Sequence, residues 1–123
     1  MSQWTHVCGC IRVDAIRGII GDTPETLRIK LGKIVRFEDG NSESTMPCGS
    51  EGSIQYDIIV NPDKEDLAAY VVPIWGDLRD YSNVEGIKKW FNGVCDSIGM
   101  IRDAVISIDV EYGTQEIVRY KKE

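Results

Sequence analysis

The chain is short of basic residues, with 14 lysines and arginines against 20 acidic residues and a single histidine. The resulting net charge of −6 argues against direct nucleic-acid binding, because neutralising phosphates requires clustered Lys and Arg. No run approaches the ~18 apolar residues of a membrane-spanning helix, and no charged-then-apolar segment opens the sequence. Neither a membrane span nor a secretory leader is therefore expected. Only 4 prolines and 12 glycines are present, without a repeating period, which excludes a collagen-like or wholly disordered chain. What is present is 123 residues, 42% of them hydrophobic. That is a single domain, long enough to hide roughly two-thirds of its unfolded surface around one core.

Four cysteines, Cys8, Cys10, Cys48 and Cys95, invite a disulfide or metal reading. Without a leader the compartment is expected to be the reducing cytoplasm, so free thiols are the expectation. Cys8 and Cys10, separated only by Gly9, are too close for an ordinary zinc-finger pair.

Hydrophobic periodicity gives the elements. Residues 4–16 (WTHVCGCIRVDAI) alternate, with Val7, Ile11, Val13 and Ala15 on one face and His6, Cys8, Cys10 and Arg12 on the other, as in a strand. Asp22 or Thr23 can cap a helix that Pro24 opens, since proline lacks a donor where the first turn has donors to spare. Leu27, Leu31, Ile34 and Val35 continue its apolar face, so the helix is expected to end near Phe37, with Gly32 inside it. Residues 38–53 (EDGNSESTMPCGSEGS) have almost nothing to bury and predict a long mobile loop. Ile54, Tyr56, Ile58 and Val60 alternate, the Asn61-Pro62-Asp63 turn follows, and Leu67–Leu78 returns as the second strand of an antiparallel hairpin. Pro73 cannot donate to a ladder, which predicts an edge position or a bulge. A helix over 83–98 has Ser82 and Glu85 at capping-box spacing and Ile87, Trp90, Phe91, Val94 and Ile98 on one face, with Gly99 as its stop. The strand 103–112 places Ala104, Ile106, Ile108, Val110 and Tyr112 on one side, and a turn at Gly113-Thr114 leads into a last strand over 115–121. The order β-α-β-β-α-β-β predicts an α+β domain, 1–123, whose two helices cover one face of a mostly antiparallel sheet, with ferredoxin-like connectivity as the nearest common form.

Several groupings could carry chemistry. His6, Cys8 and Cys10 share a strand face, but residues i and i+2 stand roughly 6.8 Å apart along a strand, which disfavours convergence on zinc. A Cys–His nucleophile pair there would lack an oriented third group, and packing is the simpler account. Gly49-Ser50-Glu51-Gly52-Ser53 superficially resembles a phosphate cradle. Its glycines run into a strand rather than a helix, no lysine follows and Glu51 would repel phosphate, so a turn or bulge is expected. In Gly76-Asp77-Leu78-Arg79-Asp80-Tyr81 the two aspartates could hold Mg²⁺, but without a third ligand an ion-pair knot around Arg79, over Leu78 and Tyr81, explains the segment better. Asp103, Asp109 and Glu111, with Glu38, Asp39, Glu43 and Glu51, could mimic nucleic-acid phosphates against a basic channel, or simply form a charged exterior. Trp90 belongs to the core, whereas Trp75 and Trp4 could anchor an interface, self-association included.

The segments WTHVCGCIRVDAI, MPCGSEGSIQYDIIVNPDK, LAAYVVPIWGDLRDY and IKKWFN together resemble a group of small proteins encoded by phages and prophages of Firmicutes. The resemblance runs from about residue 4 to 112 and is strongest over 46–92. That group lends no catalytic activity, and so no catalytic residue, cofactor or metal. It implies expression in the cytoplasm of an infected bacterium and, by analogy with phage accessory proteins, a non-catalytic inhibitor that occludes a host defence protein. The expected partner-binding residues are Glu43 and Glu51 of the loop, Asp77, Arg79 and Asp80 of the GDLRDY turn, and Trp75. The alternative is an oligomeric sponge for a small anionic nucleotide, which would gather dispersed arginines (Arg12, Arg28, Arg79, Arg102, Arg119) at a subunit interface beside Trp75 or Tyr81. An enzyme using His6 as base and a virion component are further readings.

Overall fold

The computed structural model describes residues 2–16, 20–32, 34–36, 42–44, 46–60 and 67–121. Strand β1 (Trp4–Ile16) leads to helix α1 (Pro24–Leu31), then β2 (Ile34–Arg36), β3 (Ser42–Ser44), β4 (Gln55–Tyr56), β5 (Ile59–Val60) and β6 (Leu67–Arg79). Helix α2 (Val84–Ser97), β7 (Ile101–Val110) and β8 (Gln115–Arg119) complete the chain. The main sheet is antiparallel with order β4-β6-β1-β7-β8, β5 pairing with β6 beside β4, while β2 and β3 form a separate hairpin. The α+β architecture expected from the sequence is thus present. The hairpin β2–β3 and the split of the 55–60 strand are additions to the expected order.

The alternation in β1 sorts as its sequence implies. Val7, Ile11, Val13 and Ala15 are buried beneath the helices with Val72, Ile74 and Leu78 of β6 and Ala104, Ile106 and Ile108 of β7. From α1 come Leu27 and Leu31, and from α2 come Ile87, Phe91, Val94 and Cys95. Phe91, fully buried, contributes about 2–3 kcal/mol by transfer from water alone. Trp90 is only half-buried, and its indole Nε1 donates to the Leu31 carbonyl at 3.0 Å, tying α2 to the end of α1. Among the described residues, the other face of the sheet carries no helix.

Four expectations are corrected. Helix α1 does not reach Phe37: it ends at Leu31, Gly32 caps it at φ 105°, and Ile34 and Val35 lie in β2. The glycine read as an interior flaw is the stop signal, since only a residue without Cβ adopts that φ readily. Helix α2 is capped not by Ser82 but by Asn83, whose side-chain oxygen accepts from the Gly86 amide at 3.0 Å. Tyr112 does not extend the buried face of β7; it sits in the β7–β8 turn at φ 61° and is exposed. Pro73 and Trp75 are not on an edge, because β6 lies between β1 and the β4/β5 strand. Nor is there a bulge, since the β4 and β5 registers against β6 are continuous. Asp57 donates to the Pro73 carbonyl at 3.2 Å, and proline cannot return the bond, so the ladder breaks there into β4 and β5.

The loop expected over 38–53 is also more structured than its composition suggests. Residues 42–44 form β3, and 46–53 fold into a turn closed by a Cys48–Ser53 bridge, with Met46 and Ser53 buried. Residues 37–41 and 45, and the Asn61-Pro62-Asp63 turn, lie outside the described residues.

Candidate functional site: a braced acidic end of the sheet

The glycines of the 48–53 turn allow backbone to approach backbone. A Cβ on Gly52, whose φ is +74°, would stand 2.0 Å from the Asp77 carbonyl oxygen, and one on Gly49 would stand 2.3 Å from that of Arg79. Without those carbons the turn seats against the end of β6. The Ser50 amide donates to the Arg79 carbonyl at 2.9 Å, and the Arg79 amide donates to the Glu51 carbonyl, also at 2.9 Å. The segment is therefore the turn the sequence implied. Its Ser50 amide is engaged with β6 and its Gly49 amide with the Gly52 carbonyl.

This seating brings Glu51 onto Arg79. The guanidinium meets Glu51 Oε1 at 2.6 Å through Nη1, while Nε donates to Ser2 Oγ at 2.9 Å and lies 3.8 Å from Asp80 Oδ2. The expected knot exists, but its principal carboxylate is Glu51 rather than Asp77. Asp80 sits at φ 54°, a conformation aspartate tolerates better than most residues, and its amide donates to the Gln3 carbonyl at 2.6 Å. Leu78 is fully buried below, and Tyr81 half-buried. Burial pushes the Tyr81 phenol pKa up, and its carbonyl accepts from the buried Thr5 hydroxyl.

Asp77 has another partner. In the β1–β6 ladder it stands opposite His6, and in the β1–β7 ladder His6 stands opposite Asp109. His6 Nδ1 lies 2.6 Å from Asp77 Oδ1, and Nε2 lies 3.4 Å from Glu111 Oε2. The hydrogen bond with Asp77 raises the His6 pKa above its usual 6.5, desolvation opposes this, and the Glu111 bond adds to the rise. Glu111 is fixed in turn by accepting from the Trp4 amide at 3.0 Å.

One end of the sheet thus gathers Glu51, Asp77, Asp80, Asp109 and Glu111 around one guanidinium and one imidazole. Trp75 lies on the same open face as Asp77, one row along the strands, opposite Cys8 and 46% exposed. Of the residues expected to bind a partner, only Glu43 is not placed here: it belongs to β3, and its side chain lies outside the described residues. Periodicity alone missed His6 and Glu111 as members of this cluster, because their proximity depends on the pairing registers of three strands. The shared alternation of 4–16 and 103–112 was the available signal.

The site's chemistry is that of a fixed charged surface. Among the described residues no group of three or more His, Cys, Asp or Glu could hold a metal ion. Cys8 is exposed and Cys10 half-buried on the face of His6, and both are free thiols. No helix among the described residues is long and apolar enough to cross a membrane. No protein-family model matches the chain, nor does any curated protein or solved structure.

Proposed function

We propose that the chain is a non-catalytic, phage-encoded binding protein that occludes a host protein, such as a defence protein, in the bacterial cytoplasm. The observation that carries this reading is the bracing of the acidic end. The carboxylates of Glu51, Asp77, Asp80 and Glu111 are held by Arg79, His6 and backbone amides, so less side-chain entropy remains to be lost on binding. Such an array matches a basic surface of a partner, where carboxylates stand in for phosphates. The resemblance to phage proteins supports the same reading by analogy. The test is binding after charge reversal: Glu51→Lys with Asp80→Lys is expected to slow association and flatten its salt dependence, whereas reversal at exposed Glu25 on α1 should leave binding unchanged. Equal binding by both variants would overturn the reading.

A second reading, an oligomeric sponge for an anionic nucleotide, has one observation in its favour. An open cavity of about 580 Å³ is lined by Trp90, Met46 and Pro47 with Lys30 and Lys89 at its margin. Lys30 is engaged by Asp22 at 2.6 Å, and Lys89 makes no ion pair among the described residues. An unchanged melting temperature across cyclic and linear nucleotides would dismiss it. We also propose ferredoxin-like connectivity for the fold, with β4/β5, β6, β1 and β7 as its strands and β2–β3 and β8 as additions; this is supported by the placement of α1 and α2 between those strands.

A further inference from the structure

Helix α2 carries a glycine that its own folding does not explain. Gly93 lies in the helix interior, where glycine costs about 1 kcal/mol against alanine. Its φ is not positive, and nothing stands within 4 Å of a Cβ built on it. Neither backbone conformation nor packing demands a residue without a side chain there. Gly86 differs: a Cβ at that position would meet Asn83 Nδ2 at 2.7 Å and the Tyr81 hydroxyl at 2.8 Å. Gly93 lines the open cavity of about 580 Å³, together with Trp90 and Lys89 of the same helix and with Met46 and Pro47. Trp90 and Gly93 stand three residues apart and so share a helix face. The indole bond to the Leu31 carbonyl holds the Trp90 ring in place.

We infer that this cavity binds a small aromatic anion, its ring stacked on Trp90 over Gly93 and its acid group on Lys89. The volume lies within the range of small-molecule sites, which are mostly apolar with a few polar groups that orient the ligand. The charge of the lining gives the sign. In a chain of net charge −6, the only charged residues lining this cavity are the lysines Lys30 and Lys89. Lys30 is already engaged by Asp22 and by the Ser97 carbonyl. The Lys89 ammonium makes no ion pair among the described residues and is exposed, so it is the group that takes the anion in a charge-assisted hydrogen bond. A fixed, half-buried indole offers the ring an offset-stacking surface, and glycine at 93 leaves the room a ring needs beside the helix backbone. A mononucleotide and an aromatic carboxylic acid share this chemistry. The inference rests on the cavity that favours the second reading above, but it needs no subunit interface. It uses no residue of the acidic end, which stays open to a protein partner.

The test is NMR titration of the full chain with adenosine monophosphate and with indole-3-acetate, each beside its uncharged counterpart, adenosine or indole. At least one anion is expected to give saturable shifts of the Trp90 indole and Gly93 amide signals, and its uncharged counterpart to bind about tenfold more weakly or worse. Lys89→Gln should weaken the anion by a similar factor. Gly93→Leu fills open space with a better helix former, so it should melt no lower than wild type and yet abolish binding. Glu51→Lys, at the acidic end, should bind as wild type does. No saturable shift with either anion, undiminished binding by Gly93→Leu, or equal binding of the uncharged counterparts would overturn the inference. Nucleotide binding that survives Gly93→Leu would overturn it while leaving the sponge reading standing. Binding of indole-3-acetate alone at Trp90 would support it and count against the sponge.

Discussion

Replacing Gly52 with alanine tests how the 48–53 turn delivers Glu51 to the site. The backbone there has φ +74°, where a Cβ costs about 1–2 kcal/mol in an L-residue. The new carbon would also stand 2.0 Å from the Asp77 carbonyl oxygen, so the turn must lift off β6. Lifting it breaks the two backbone hydrogen bonds between Ser50, Glu51 and Arg79, worth about 1 kcal/mol each. The expected loss is about 3 kcal/mol, a large share of the ~5–15 kcal/mol of a typical domain. Urea denaturation followed by tryptophan fluorescence measures it, and NMR shifts of the Arg79 side chain report loss of the Glu51 contact. Gly93 is the control: nothing lies within 4 Å of its would-be Cβ on α2, so Gly93→Ala should stabilise by about 0.5–1 kcal/mol. A Gly52→Ala protein within about 0.5 kcal/mol of wild type, inside the usual range for harmless surface changes, would refute the reasoning.

Other outcomes follow from the same geometry. Trp90→Phe removes the indole donor to the Leu31 carbonyl and should cost about 1 kcal/mol in chemical denaturation. His6 should titrate above 6.5 by NMR; because its folded pKa is raised, its contribution to stability is full below the unfolded value and fades as pH rises through the folded one, and Asp77→Asn should shrink both effects. Burial drives the Asp22 carboxyl up, but Lys30 and Thr26 outweigh it and hold the pKa below its ordinary value. The stability it adds should therefore be present above the unfolded pKa and vanish as pH falls through the folded one, a loss that Asp22→Asn would show at neutral pH. Burial also pushes the Cys95 thiol up to about 12, so a maleimide should label exposed Cys8 and Cys48 in the native protein and Cys95 only after unfolding.

Much of this fold is legible in the sequence where a period is long enough to repeat. The β1 alternation and the Ile87–Phe91–Val94 face of α2 are read correctly because burial on one side dictates them. Gly32 shows the limit: apolar spacing carried the expected helix onward through Ile34 and Val35, and only the glycine's φ shows that the chain turns there. The seating of the 48–53 turn is not legible in the sequence, because it rests on backbone contacts with β6 that composition does not display. The acidic site was half legible. Asp77, Arg79 and Asp80 adjoin in sequence, but Glu51, His6 and Glu111 join them only through strand register, and the sequence does not state which strands are neighbours.

Binding of a host protein by the braced acidic end is the proposed role of this surface. Affinity capture from phage-infected host lysate tests it most directly, comparing wild type with the Glu51→Lys, Asp77→Lys, Asp80→Lys variant and identifying retained proteins and small molecules by mass spectrometry. A stoichiometric host protein is expected on the wild type and absent from the triple variant. The same proteins on both, or a bound nucleotide with no protein partner, would contradict it.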